Sequence, residues 1–151
     1  MTPPLPESTA AILAGYPEAA QRHLLALRAL VFATARGLPE VGALKETVRW
    51  SEISFVTPSG SGSLLRLGWR ARDPLRIALY VHCQTSLLER FRERFADALD
   101  YEGERAVLLP LDQPLPSESL AWCIAQVLTY HQARRARDAW NAADETQAPR
   151  R

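Results

Sequence analysis

The spacing of apolar residues changes twice along this chain, and that change restricts the fold more than any motif does. Over residues 18–36, Ala20, Leu24, Leu27, Leu30, Val31 and Thr34 recur on one side at helical spacing. Pro17 precedes the run, where its missing N–H costs nothing, and Gly37 and Pro39 follow it. Residues 47–50, 53–57, 64–69 and 76–82 are then short, β-branched and aromatic, with turn residues at 58–63 and at Asp73-Pro74. That pattern predicts four strands, and the short connections predict antiparallel pairing. Ser86 with Glu89 forms a capping box ahead of Leu87, Leu88, Phe91 and Phe95, so a short helix follows. Residues 98–102 and 106–109 suit two more strands across Gly103. Residues 117–140 suit one long terminal helix, with Leu120, Cys123, Ile124, Val127, Leu128 and His131 on its apolar face.

Strands and helices segregated in this way imply an α+β fold. The expected architecture is a mainly antiparallel sheet with the N- and C-terminal helices packed on one face and a short helix between the fourth and fifth strands. Residues 1–6 are Pro-rich and expected to be extended, residues 7–140 form one domain, and residues 141–151 read as a polar tail. Trp122 and Trp140 fall on a second stripe of the terminal helix, which either receives the first helix or forms an interface with another chain.

Charge limits the choice of partner. Eighteen Lys+Arg against 17 Asp+Glu leave a formal +1, unlike the strongly basic footprint of a nucleic-acid binder. No run approaches the ~20 apolar residues a bilayer span needs, and residues 1–7 lack the basic and apolar regions of a secretory signal. Cys83 and Cys123 lack zinc or redox spacing, so free thiols, a cytoplasmic location and no cofactor are expected. Nucleic acid and membrane are not expected partners, and the chain is expected to be a monomer or a homodimer. One imbalance stands out: Lys45 is the sole lysine beside 17 arginines. A coding bias explains most of it; an anion-binding surface is the functional alternative.

Motifs of catalysis are missing from the sequence. Gly60-Ser61-Gly62 has no following Gly-Lys-Ser/Thr and opens no helix, so it is a hairpin turn and not a phosphate loop. There is no nucleophile elbow, and His82 and Cys83 point to opposite faces of a strand. Strand alternation puts Leu65, Leu67, Ile77, Leu79 and Val81 on one face and Arg66, Tyr80 and His82 on the other. An open sheet face carrying Arg66, Tyr80 and His82, with Arg49 and, nearby in sequence, Glu52, Trp50, Trp69 and Gln84, suits a small anionic or planar ligand. Asp100, Glu102 and Glu104 alternate along one segment, which reads either as a solvated edge strand or as carboxylates aimed at a cation.

The same residues carry a resemblance. Thr47-Val48-Arg49-Trp50-Ser51-Glu52-Ile53-Ser54-Phe55, Arg66-Leu67-Gly68-Trp69, Ala78-Leu79-Tyr80-Val81-His82-Cys83-Gln84-Thr85 and Tyr101-Glu102-Gly103-Glu104-Arg105-Ala106 resemble the YdhG-like family of bacterial proteins, domain of unknown function 1801. The likeness runs from about Ala10 to Ala133, with the blocks in the family's order. It departs where the family reads Lys-Trp-Gly-x-Pro and this chain has Arg49, Trp50, Ser51, Glu52 and Ile53, which removes the Gly and Pro of a tight turn. The resemblance implies a frataxin-like α+β fold, through which some members of the family are linked to iron handling; Asp100, Glu102, Glu104 and neighbouring acids are the carboxylates this chain would offer for that role. The first helix suits a hard cation poorly, with Arg22, Arg28 and Arg36 against Glu18. The leading expectation is a non-catalytic domain that binds a small anion on the open sheet face. Iron delivery and a protein-interaction module are the alternatives.

Overall fold

The computed structural model describes residues 2–147. A six-stranded antiparallel sheet has the order β1-β2-β3-β4-β6-β5. Its strands are β1 (Lys45–Arg49), β2 (Glu52–Val56), β3 (Leu65–Arg70), β4 (Asp73–Tyr80), β5 (Asp100–Glu102) and β6 (Ala106–Pro110). Two helices, α1 (Glu7–Ala14) and α2 (Glu18–Arg36), precede it, α3 (Leu87–Arg94) lies between β4 and β5, and α4 (Ser117–Leu128) and α5 (Tyr130–Gln147) follow. The fold is α+β, as the periodicity implies. Leu24, Leu27 and Val31 of α2 and Leu120, Ile124 and Val127 of α4 meet Leu67, Ile77 and Leu79 of the sheet in one core. Each such side chain contributes about 1.5–3 kcal/mol on burial. No helix among the described residues is long and apolar enough to cross a membrane.

Several local expectations are corrected. The helix α1 was not expected; it buries only Thr9 and Leu13, too thin a stripe to show as periodicity. Asp73 and Pro74 belong to β4, and the chain reverses instead at Ala71 and Arg72, because Arg70 pairs with Asp73 beside a register shift. Ser86 makes no side-chain cap, since its φ of −86° and ψ of 8° are not the extended geometry a capping hydroxyl needs. Thr85 takes that place: its Oγ1 accepts the Leu87 N–H at 3.4 Å and donates to the His82 carbonyl at 2.7 Å.

The terminal helix is not continuous; it breaks at Thr129. The Val127 carbonyl accepts the Ser63 N–H, the Leu128 carbonyl accepts the Ser61 hydroxyl, and the Gln132 N–H donates to Ser61 O, each at 2.9 Å. The loop over residues 58–63 thus sits in the break and satisfies the backbone groups the helix gives up. A Cβ on Gly62 would lie 2.5 Å from the Leu128 oxygen, so no larger residue fits. The break also separates the two tryptophans. Trp122 packs edge-on to Phe91 and Phe95, beside α3 and not under the first helix, while Trp140 is exposed on α5. His131, expected on the apolar face, is half-buried against Tyr130. Residues expected as a polar tail are helical as far as Gln147, and 148–151 lie outside the described residues.

A closed polar network pins the covered side of the sheet edge. Arg28 of α2 donates to both carboxylate oxygens of Glu46 on β1, at 2.8 and 2.7 Å. It also donates to the carbonyls of Pro3 and Pro4, at 2.9 and 3.1 Å, and Thr9 donates to Glu46 at 3.0 Å. The Pro-rich opening segment is therefore held by an arginine.

Candidate functional site: the open face of the sheet

The register aligns side chains across the uncovered face. Ser54 pairs with Arg66, Arg66 with Tyr80, Tyr80 with Ala106, and Ala106 with Glu102. Partners directly opposite share a face, so these residues form one row across five strands. Glu52, two residues before Ser54, shares that face by strand alternation. Gly68 leaves a gap in the next row: a Cβ there would come within 3.1 Å of the Glu52 carboxylate and 3.5 Å of the Tyr80 ring. Glu52 and Tyr80 thus lean into the space that glycine vacates.

A tight turn joins β1 to β2 after all. Trp50 and Ser51 carry φ of 51° and 61°, the two left-handed residues of a type I′ hairpin turn, without the usual Asn-Gly. Left-handed backbone at a bulky residue costs of order 1–3 kcal/mol. The turn holds the Trp50 ring 5.0 Å from the Arg66 guanidinium while leaving the residue 72% exposed. Arg66 also lies 5.3 Å from the Tyr80 ring and is ion-paired to Glu52.

Two adjoining hollows result. One, of about 560 Å³, is lined by Glu52, Arg66, Arg70, Arg72, Tyr80 and the strand connection from Glu102 to Ala106. The other, of about 400 Å³, lies among Trp50, Leu64, His82 and Arg105. They share Arg66, Cys83 and Arg105. In the first hollow Tyr80 is only 6% exposed, yet its hydroxyl has no hydrogen-bond partner among the described residues. Burial raises the Tyr80 pKa, so the hydroxyl stays protonated and able to donate. Burial also raises the Glu52 pKa, outweighing the opposing pull of Arg66, Arg70 and Arg105. Glu102 goes the other way: its hydrogen bond from Arg70 at 2.9 Å holds its carboxyl below the usual value.

The expected residues separate. Arg66, Tyr80, Trp50 and His82 line the hollows. Trp69 does not: it shares the parity of Leu65 and Leu67, packs 5.6 Å from Tyr16 on the covered side, and donates from Nε1 to the Pro74 carbonyl at 3.0 Å. Arg49 pairs with Glu52 but is exposed and borders neither hollow. Gln84 acts through its backbone, donating its N–H to Nδ1 of His82 at 3.1 Å. Its side chain lines neither hollow. Arg70, Arg72, Arg105 and Cys83 border the site without having been expected there, and Glu52 is its central acid rather than a mere neighbour.

The carboxylates whose alternative reading was a cation site are not gathered into one. Glu102 is taken by Arg70 and Arg72, while Asp100 borders a separate hollow beside Pro110. Among the described residues, no three of His, Cys, Asp and Glu come together as a metal site. Compared with known proteins, the chain matches no protein-family model, no curated protein and no solved structure.

Proposed function

We propose that this chain is a small cytoplasmic binding protein, akin to the YdhG-like family, that holds a small anion on the open face of its sheet without catalysis of its own. One observation carries the reading: the buried Tyr80 hydroxyl without a partner, in a hollow rimmed by arginines. An unmet buried hydroxyl costs about 1–3 kcal/mol, and a phenylalanine would fill the same space without that cost. A ligand oxygen accepting from Tyr80 recovers it. Arg105 is available to the same ligand, since its guanidinium makes no hydrogen bond or ion pair among the described residues. Among the described residues, Arg72 is held only by a long 3.4 Å contact to Glu102. Iron delivery draws no support from this arrangement, because Glu102 is committed to arginines.

A thermal-shift screen of small carboxylates and phosphates tests the reading. Hits should stabilise the wild type, and both Tyr80→Phe and Arg105→Ala should weaken them about tenfold. Undiminished stabilisation in both variants would remove the site.

A further inference from the structure

The anion-binding reading leaves the body of the ligand open, and the second hollow constrains it. We infer that the ligand is a planar ring bearing one acidic group, its ring against Trp50 and its acid reaching Tyr80 and Arg105. This rests on the reading above and goes beyond it.

Three observations carry the inference. First, the two hollows differ in character and meet at Arg66, Cys83 and Arg105. A compact anion would fill only the arginine-rich one and leave Trp50 and Leu64 uncovered. At about 400 Å³ the second hollow is within the range of small-molecule sites. Second, Trp50 is held in a left-handed turn with its ring exposed, two unfavourable arrangements at one residue. Strain of this kind persists where the surroundings fix a side chain in position, as in a preformed aromatic wall. The Arg66 guanidinium already lies over both the Trp50 and Tyr80 rings, at 5.0 and 5.3 Å, a cationic and aromatic surface that a ligand ring extends. Third, four arginines against three glutamates border the first hollow, leaving room for one negative charge. His82, oriented by the Gln84 N–H, also lines the second hollow.

Calorimetric titration of the full chain with acetate, benzoate, inorganic phosphate and adenosine monophosphate tests this directly. Benzoate should bind tighter than acetate, or the nucleotide tighter than phosphate, by about three- to tenfold, the usual strength of an aromatic contact. Which ring-bearing probe shows the gain tells an aryl acid from a nucleotide. Trp50→Gly should abolish the gain, so that benzoate binds no tighter than acetate and the nucleotide no tighter than phosphate. Glycine adopts the left-handed turn without strain, so this variant keeps the fold. Quenching of tryptophan fluorescence by the ring probe should vanish with it. Equal affinity with and without a ring, or a ring advantage that survives Trp50→Gly, overturns the inference while the anion site stands. Failure of all four probes to bind overturns both.

Discussion

Two arginine–glutamate pairs lie on opposite sides of the same sheet, and they are built to different ends. Arg28–Glu46 on the covered side is close to saturated: both carboxylate oxygens accept from the guanidinium, Thr9 adds a donor, and two further guanidinium N–H groups go to the carbonyls of Pro3 and Pro4. Its side chains are 4% and 6% exposed. Arg66–Glu52 on the open side is three times as exposed, at 14% and 18%, and sits against a buried hydroxyl without a partner. A completed polar network fixes a structure. An incomplete one beside a hollow keeps capacity for something else.

The largest effect that probes this difference comes from the closed pair. Glu46→Ala leaves Arg28 charged, buried and short of its main partner, and should cost about 3–5 kcal/mol in urea unfolding. A loss near zero would mean that the pair is no more structural than its counterpart. Tyr80→Phe should do the reverse on the open face, raising stability by about 1 kcal/mol, because it removes a buried hydroxyl that nothing satisfies. A clear destabilisation would show that this hydroxyl is already bonded and the open side complete. The smallest effect is the pH response of Glu52. Its folded pKa lies above the ordinary 4.5, so the folded state holds this proton more tightly than the unfolded chain. Stability from Glu52 is therefore full below 4.5 and is lost as pH rises through the raised value. Glu102, with its pKa lowered by Arg70, contributes in the opposite sense and loses its share on acidification. Unfolding measured over that range should show a flatter pH slope on its neutral side in Glu52→Gln; an unchanged slope there would place the proton elsewhere.

Much of the scaffold is legible in the residues. The helix α2 spans 18–36 as its apolar spacing requires, and the alternation of Leu65, Leu67, Ile77 and Leu79 separates covered from open face. That same alternation already puts Trp69 beneath the sheet, since it continues the parity of Leu67. Other features depend on distant partners. Nothing local marks Thr129 as a break, because the apolar spacing continues through it and the interruption is imposed by a loop some seventy residues earlier. The pairing of Arg66 with Glu52 and the approach of Arg105 require a strand register that alternation does not supply. The turn at Trp50 was hidden by the lack of Gly or Pro, the residues by which such turns are ordinarily recognised.

Gly62 has a consequence for ancestry. A Cβ here would lie within 2.6 Å of the Leu128 backbone, so the site admits no side chain. Surface arginines can drift and the open face can be rebuilt for another ligand, but a descendant that keeps the broken helix must keep this glycine. In an alignment of diverged relatives, that column should stay invariant after the arginine columns have blurred.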